Sequence, residues 1–381
     1  MSQLFFQEQF NQPPECKFFS PGRVNLIGEH IDYCGGQVLP MAISRGTTGF
    51  ACRSEKAEVK IYSERFGEVA VVPLVGATAR GHWSDFVVGI LALLSKSIQL
   101  SGMKLLVTDD IGSGGLSSSA SFSLLIARAC LWAAGEDELA DKDGLELAKI
   151  CQQVEHDYIG VQCGIMDQAS IALGGIVSLD CTTLKYQRIN SLGDAHTIVV
   201  MDTRHPRDLA GSKYNERVGE LARIKTILGQ QAQIRQVDNL CQYSVAELPE
   251  LLGCLKEATL QRRLAHVVTE NQRVAEAHDA LQKADFVRFG ELMNESHDSL
   301  HRDYEVTGEA LSTIVTASRE QPGCLGARMT GAGFGGCALA LVASAQVSQH
   351  NSAVSSQFAM TTGVTPAIFP VTQAFATQAL I

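Results

Sequence analysis

The sequence feature that most constrains the fold is a glycine-rich run between a strand-like pattern at 103–108 and a helical pattern at 118–134. Gly112, Gly114 and Gly115 in this run carry no side chain, so the backbone there can approach a ligand closely. The free N–H groups and the positive dipole end of the following helix bind phosphate. The segment therefore predicts a phosphate loop, although a structural Gly/Ser loop with a serine N-cap would show the same pattern.

Three serines, Ser117, Ser118 and Ser119, stand where the predicted helix begins. A serine hydroxyl at such a place can reach a Mg²⁺ ion that accompanies phosphate. The chain contains no GxxxxGK[ST] motif, so we expect any ATP binding to proceed without a P-loop lysine. Because the net charge is −10, positive charge for ATP must be supplied locally.

Bulk properties exclude several classes of protein. The chain has 381 residues, which favours two domains, and 45% hydrophobic residues, which can bury a core. The chain has no long Lys/Arg run of the kind that would indicate a nucleic-acid partner. It also has no apolar window long enough to predict a membrane-spanning helix. The sequence lacks a secretory signal pattern at its start, and its eleven cysteines contain no CxxC pair. We therefore expect reduced thiols in the cytoplasm.

Helical and strand-like patterns come in blocks, which favours an α+β fold over strict βαβ alternation. A polar stretch at 190–195 predicts a boundary between two domains, 1–192 and 193–381. The predicted strands are 58–62, 69–74, 103–108, 175–180, 197–202, 337–343 and 367–371, and the predicted helices are 83–100, 118–134, 144–159, 212–228, 262–283, 285–297, 308–318 and 345–360.

A charged segment near the start of the chain is the second candidate site. Arg23, Glu29, His30 and Asp32 lie close together between apolar flanks. Unpaired charges are costly to bury, so a plain core segment would not carry so many. These side chains suit vicinal hydroxyl groups, whereas an ordinary surface loop is the alternative interpretation.

Two further segments carry candidate chemistry. Glu155 falls on a predicted helix and Asp167 in a glycine-bearing stretch after it, although either could be an ordinary surface carboxylate. Gly331, Gly333 and Gly336 match GxGxxG, but a strand-like pattern follows instead of a helix, and no acidic residue follows. The segment therefore predicts a glycine loop beside phosphate or substrate rather than a dinucleotide site.

A pair of histidines, His297 and His301, shares one predicted helix face and could bind zinc. Asp298 stands where the zincin pattern needs glutamate, and no third ligand is signalled. We do not expect a zinc site.

Six segments are similar to the GHMP small-molecule kinase family, and within it to the galactokinases. They are PGRVNLIGEHIDY (21–33), GLSSSAS (115–121), VEHDYIGVQCGIMDQ (154–168), GSKYNER (211–217), SHDSLHRDYEV (296–306) and GARMTGAGFGG (326–336). Their order and joint occurrence are specific, whereas any single motif would be a weak signal.

The resemblance implies an α+β, two-domain GHMP kinase fold with an N-terminal ribosomal-protein-S5-like domain and a C-terminal ferredoxin-like α/β sandwich. It implies ATP-dependent phosphorylation of the C1 hydroxyl of D-galactose, with Mg²⁺ as cofactor, by a cytoplasmic monomer. Asp167 and Arg23 would be the catalytic pair. The implied ligand sites are Glu29, His30, Asp32, Gly164 and Tyr214 for the sugar, Gly112, Gly114, Gly115, Leu116, Ser117, Ser118, Ser119 and Ala120 for ATP, and Ser119 (or Ser118) with Glu155 for Mg²⁺.

Some residues depart from the galactokinase pattern. Cys34 replaces a usual asparagine, residues 202–205 differ from the usual stretch, Val218 and Gly219 replace Arg and Cys, and Phe122 replaces a smaller residue. These changes leave open a 1-kinase for another sugar, such as N-acetylgalactosamine or L-arabinose.

A non-catalytic sugar and ATP sensor built on this fold is a third hypothesis. The sensor relative lacks a Ser-Ala pair in its phosphate loop. Ser119 and Ala120 form that pair in this chain, which favours catalysis.

Overall fold

The computed structural model describes residues 3–112, 115–137, 144–205 and 210–380 of the chain. Gly114, predicted in the phosphate loop, lies outside the described residues. The α-helices are α1 (Gln3–Phe10), α2 (Asp85–Leu94), α3 (Ser118–Ala134), α4 (Gly144–Val154), α5 (Met166–Leu173), α6 (Ala210–Gly229), α7 (Leu248–Gly253), α8 (Ala258–Gln282), α9 (Phe286–Ser299), α10 (Gly308–Arg319) and α11 (Val347–Thr362). The strands are β1 (Cys16–Asn25), β2 (Gln37–Val38), β3 (Pro40–Ser54), β4 (Glu58–Ser63), β5 (Glu68–Pro73), β6 (Gly102–Asp109), β7 (Ile176–Asp180), β8 (Tyr186–Ile189), β9 (His196–Asp202), β10 (Cys324–Met329), β11 (Cys337–Ala343), β12 (Ala367–Val371) and β13 (Gln378–Leu380).

The first sheet, nine-stranded among the described residues, has the order β13-β1-β3-β6-β4-β5; β7 also pairs with β3, and β2 and β8 pair with β7. All its pairs are antiparallel except β4 with β6. Helix α3 packs on β1 and β3, and its apolar residues are buried almost all round. This packing places the start of α3 beside the C-terminal part of β1.

The second sheet has the order β10-β11-β9-β12 and is antiparallel throughout. One of its two inner strands, β11, is a continuous apolar run that is buried on both faces. Helices α9 and α10 pack on β10. The apolar core of this half continues into Leu26, Ile27 and Ile31, so the charged segment near the start of the chain is anchored from both halves.

The bounds of α3, β11 and β12 agree with the predicted ones, and the helix predicted at 83–100 is shorter, Asp85–Leu94. The prediction missed β1 and β3 because both strands are buried over long stretches and show no simple alternation. Strand β13 lies in the second half of the chain but pairs with β1. The boundary between 192 and 193 remains a prediction.

No helix within the described ranges is long and apolar enough to cross a membrane. All eleven cysteines lie in the described part of the chain, and each is a free thiol.

Candidate active site

A cavity of about 390 Å³ brings together the predicted residues from distant parts of the chain. Leu116 and Ala120 are buried in the loop and helix next to it, at 3% and 0% exposure, and Gly112 lies further out on the loop. The predicted residues on its wall are Arg23, Glu29, His30, Asp32, Gly115, Ser117, Ser118, Ser119, Glu155, Gly164, Asp167 and Tyr214.

Arg23 and Asp167 form the centre of this cavity. Arg23 is positioned by β1, and Asp167 lies in the first turn of α5, where a helix dipole favours a carboxylate. Both Nε and Nη2 of Arg23 lie 2.7 Å from Oδ1 of Asp167. The Arg23 side chain is 5% exposed and the Asp167 side chain 30% exposed, so the carboxylate faces the cavity.

The phosphate loop is bonded directly to this pair. The backbone N–H of Arg23 donates to the Leu116 carbonyl at 3.1 Å, and Nη1 donates to the Gly115 carbonyl at 2.7 Å. Ser117, just before α3, has the left-handed φ of 59° and donates its hydroxyl to Oδ2 of Asp167. Each oxygen of the carboxylate is thus held by a different donor, and the helix N-terminus opens on the same cavity.

Glu29 is held by three donors although it lines the cavity. The Gly331 N–H donates to its Oε1, while Asn25 Nδ2 and Arg328 Nη1 donate to Oε2, the latter at 3.2 Å. Burial raises the pKa of Glu29, and the positive charge of Arg328 opposes the rise. The Glu29 carboxylate thereby joins the loop after β1 to the glycine segment 326–336.

His30 is fixed in one orientation by a chain of hydrogen bonds. Its Nε2 lies 3.2 Å from the Ala332 carbonyl, which can only accept, so Nε2 donates and Nδ1 accepts from the Tyr33 hydroxyl at 2.9 Å. The Tyr304 hydroxyl in turn lies 2.9 Å from that of Tyr33. Burial lowers the pKa of His30 to about 3, so the ring is neutral at physiological pH.

Asp32 begins a short 3₁₀ turn, Asp32–Cys34, and faces Gly164. Burial raises the pKa of Asp32 to about 7, and the negative charge of Asp167 adds to the rise. A Cβ on Gly164 would lie 1.9 Å from Oδ2 of Asp32, so glycine is required there. Tyr214 on α6 places its ring 5.8 Å from the ring of His30 and closes this side of the cavity.

Glu155 lies where α4 changes to a π-helical turn, Glu155–Ile159, a feature frequent at functional sites. Burial raises its pKa to about 7, and the charge of Asp167 adds to the rise. Ser119 and Gln168 hydrogen-bond to it, Gln168 at 3.2 Å. No cluster of three or more His, Cys, Asp or Glu side chains that could hold a metal occurs in the described chain.

Sequence reasoning missed several residues of this site. Tyr33 and Arg328 lie inside the motifs quoted above, so membership of a motif was the sequence signal that could have identified them as site residues. Tyr304 belongs to the segment SHDSLHRDYEV, in a π-helical turn after α9. Arg65 on the β4–β5 turn contacts Ser118 at 3.1 Å, and neither composition nor motif indicated it.

The glycine segment 326–336 lies against both the charged segment 21–33 and the phosphate loop. Besides the contacts of Gly331 and Ala332 with Glu29 and His30, an ideal Cβ on Gly331 would lie 3.3 Å from the Gly115 carbonyl. His297 accepts a hydrogen bond from the backbone N–H of Met329 and is 5% exposed.

Three family models match the chain. The galactokinase galactose-binding signature matches residues 4–53, the GHMP kinases N terminal domain residues 85–175, and the GHMP kinases C terminal residues 277–357. The first contains Arg23, Glu29, His30 and Asp32, and the second contains the phosphate loop.

Full-length relatives are similar along nearly the whole chain. A protein of Lactococcus lactis subsp. lactis named galactokinase is 41% identical, over 97% of this chain and 93% of its own. One of Exiguobacterium sibiricum with the same name is 40% identical, over 96% and 94%. One of Streptococcus thermophilus is 39% identical, over 96% and 95%.

Solved structures agree with these relatives. The crystal structure of Lactococcus lactis galactokinase complexed with galactose has a TM-score of 0.91 at 39% identity and covers 99% of this chain and 98% of that one. A mevalonate kinase has a TM-score of 0.67 at 20% identity over 94% and 98%, which shows the common fold alone. The predicted GHMP kinase fold is thereby confirmed.

Proposed function

This chain belongs to the galactokinase family of the GHMP kinases, and from that premise we propose that it transfers the γ-phosphate of ATP to the C1 hydroxyl of D-galactose, giving galactose 1-phosphate and ADP. The observation that carries the proposal is the Arg23–Asp167 pair, bonded to the phosphate loop at the centre of a polar cavity. Relatives named galactokinase support the same reaction.

Phosphoryl transfer depends on positioning and on charge stabilisation. In our proposal Asp167 accepts a hydrogen bond from the C1 hydroxyl and takes its proton as the oxygen bonds to the γ-phosphorus and ADP leaves. Arg23 offsets the negative charge of the transferring group. The fixed contacts of both carboxylate oxygens with Arg23 and Ser117 support this role, because they aim the carboxylate before the sugar binds.

We assign Glu29, His30, Asp32, Gly164 and Tyr214 to the sugar. Asp32 is the carboxylate of this group that accepts hydrogen bonds from vicinal hydroxyls, and neutral His30 offers a ring whose tautomer is set by Ala332 and Tyr33. Because three donors of the protein already hold Glu29, we expect it to shape the site more than to grip the sugar.

The cofactor proposed is Mg²⁺. One buried carboxylate, Glu155, and a hydroxyl that bonds to it, Ser119, are oxygen donors, and Mg²⁺ usually takes only one or two protein ligands beside phosphates and water. Ser118 bonds instead to Arg65, so we choose Ser119 as the ligand. Bound there, the ion would neutralise charge on the phosphates.

For the adenine we propose the aromatic surface beside the phosphate loop. Phe66 and Trp83 are stacked with ring centres 5.1 Å apart, and Phe66 is 50% exposed. Trp83 also contacts Phe122, one turn into α3 from Ser118. Aromatic faces of this kind bind planar bases by stacking.

The departures in sequence do not favour another sugar. Cys34 is buried at 7% exposure with its thiol 3.8 Å from the His30 carbonyl, and it does not occur among the described residues of the cavity wall. Ser119 lines the cavity, as the catalytic hypothesis requires. Since one chain supplies every residue of the site, we propose a monomer, and eleven free thiols support the cytoplasm.

The test is ADP release measured with purified protein, ATP and Mg²⁺ against a panel of D-galactose, N-acetylgalactosamine and L-arabinose. We expect turnover with D-galactose. Turnover with another sugar and none with D-galactose would refute the assignment. Tight binding of sugar and ATP with no ADP release would instead favour the hypothesis of a non-catalytic sensor.

A further inference from the structure

Arg65 contacts the phosphate loop from outside the cavity, since it does not occur among the described residues of the cavity wall. It lies in the turn between β4 and β5, and its Nη1 donates to the Ser118 hydroxyl at 3.1 Å. Its Nη2 donates to the Gly112 carbonyl at 2.8 Å and to Oδ1 of Asp109 at 2.7 Å. The guanidinium is therefore held at the first turn of α3, where a phosphate-binding helix N-terminus opens.

Arg23 holds the same loop from the inside, through the Gly115 carbonyl. The Arg23 side chain is 5% exposed and is committed to Asp167, whereas the Arg65 side chain is 33% exposed. Two guanidinium groups thus bracket the loop, and only the outer one keeps a large accessible surface.

The side chains of the site carry more negative than positive charge, which favours a second basic residue near the phosphates. Among the described residues that line the cavity, Arg23 is the only Lys or Arg, while Glu29, Asp32, Glu155 and Asp167 are acidic. The chain has no P-loop lysine and a net charge of −10. A nucleotide with several phosphates would meet repulsion here; the proposed Mg²⁺ would offset part of it, and a second guanidinium beside the loop would offset more.

We propose that Arg65 binds the phosphate chain of the nucleotide directly, from the side opposite Arg23. The inference rests on the proposed ATP-dependent function. Asp109 holds Nη2, so the Nη1 side can exchange its bond to the Ser118 hydroxyl for a phosphate oxygen, which is the stronger, charge-assisted acceptor.

The neighbouring residue supports this placement. Phe66 follows Arg65 in the same turn and stacks on Trp83. The turn therefore presents a cation to the phosphates and an aromatic ring next to it. Gly67, with φ of 66°, completes the turn, which lets both side chains lie on the loop side.

The experiment measures dissociation constants of ATP, ADP, AMP and adenosine by calorimetry with the full chain and Arg65→Met. A charge-assisted bond to phosphate predicts that ATP and ADP bind about 10- to 100-fold more weakly to the variant, while adenosine changes less than about twofold. The dissociation constant of galactose, measured without nucleotide, should stay within about threefold, because Arg65 does not occur among the described residues of the cavity wall.

An equal loss for all four ligands would mean that Arg65 only shapes the turn, and no loss for ATP would mean that it makes no contact; either result overturns the proposal. Arg53→Met is the matched control, because Arg53 is an exposed arginine of β3 that pairs with Glu15 and stacks on Trp132. We expect unchanged affinity for all four ligands.

Asp109→Asn tests whether Arg65 binds the phosphates directly or only holds the turn in place through its pair with Asp109. It also serves as the test if Arg65→Met fails to fold. This variant keeps the cation and removes its partner charge, so ATP affinity should be equal or higher. A loss as large as that expected for Arg65→Met would overturn the proposal. Failure of the proposed function is distinguishable, because the wild-type chain would then release no ADP with D-galactose whatever the variants bind.

Discussion

At the scale of single residues, the two oxygens of Asp167 have different partners, Arg23 on Oδ1 and Ser117 on Oδ2. Asp167→Asn keeps the shape of the side chain and removes its charge and its ability to accept a proton. We expect kcat to fall by about 10²- to 10⁴-fold, the usual range for a positioned acid–base group. The dissociation constant for galactose should stay within about threefold.

The measurement is steady-state kinetics together with sugar binding on the same preparation. Asp157→Asn is the control, because Asp157 lies in the neighbouring π-helical turn but is exposed and bonds to Gln153. A near-wild-type kcat in Asp167→Asn would show that the carboxylate takes no part in the reaction.

The raised pKa of Asp32 predicts how the stability of the folded protein depends on pH. Its pKa in the folded protein is about 7, raised by burial and by Asp167, against an ordinary value near 3.9. The folded state therefore binds more protons than the unfolded state between these values, and the stability contributed by protonated Asp32 is lost as pH rises through 7. Asp32→Asn removes this loss, so at pH 8 without ligands it should be more stable than wild type by on the order of 1–3 kcal/mol.

Denaturant unfolding at pH 8 and at pH 5 checks the prediction, since the difference should shrink at pH 5. The same variant should bind galactose more weakly, because its amide keeps one acceptor oxygen where the carboxylate offers two. A wild-type protein that is equally or more stable than Asp32→Asn at pH 8 would contradict the assigned cause.

At the scale of elements, the approach to α5 depends on a glycine. Gly164→Ala would place a methyl group 1.9 Å from Oδ2 of Asp32, so the carboxylate or the segment before α5 must shift. We expect the KM for galactose to rise about tenfold or more, while the KM for ATP changes little. Steady-state kinetics with each substrate varied in turn distinguish the two.

Gly219→Ala is the matched control. Gly219 lies in α6, is exposed and has no neighbour within 4 Å of an ideal Cβ. Alanine favours a helix over glycine by about 0.5–1 kcal/mol, so this variant should be slightly more stable and equally active. A Gly164→Ala enzyme with unchanged KM for galactose would show that Asp32 is not confined as the structure indicates.

The same elements show what the sequence can predict. Helix α3 was predicted with its exact bounds, because serines mark its start and Gly135, with φ of 79°, ends it. Strand β1 was missed because Arg23, although buried, interrupts the apolar pattern of the strand. A charge in a buried strand contradicts the local pattern, and only its partner Asp167, 144 positions away, explains it.

The candidate site followed the same rule. The residues to which the family resemblance assigned a role were predicted. Arg65 lies outside every motif, and Tyr304 and Arg328 lie inside motifs but were given no role, because the roles of all three come from contacts between segments that are distant in sequence. No periodicity or composition reports such contacts before the chain is folded.

At the scale of the whole molecule, Arg328 joins the two halves of the chain. It lies on β10 in the second sheet, is 0% exposed, and its Nη1 donates to the Asn25 carbonyl of β1 at 2.9 Å and to Glu29 at 3.2 Å. Its Nη2 also lies 3.8 Å from Glu270 of α8. Despite burial, which acts in the opposite direction, the charges of Arg273, His266 and Arg328 lower the pKa of Glu270 to about 2.

Arg328→Met should therefore destabilise the protein by about 3–5 kcal/mol, because it leaves the buried carboxylate of Glu29 without its cation. Adding Glu29→Gln to the variant should recover part of the loss, since the amide is neutral and can still accept from Gly331. Arg223→Met is the control, because Arg223 pairs with Glu257 on the surface at 57% exposure, and little change in stability is expected.

Denaturant unfolding of the two single variants and the double variant gives the coupling between Arg328 and Glu29. If the two losses simply add, Arg328 and Glu29 are not a unit, and the position of Glu29 does not depend on the guanidinium. If they couple, the position of Glu29, and with it the loop after β1, depends on a contact made by the second sheet. Galactose binding by Arg328→Met, measured at a temperature where the variant is still folded, should then be weakened as well, because the loop after β1 keeps its position only while β10 holds it.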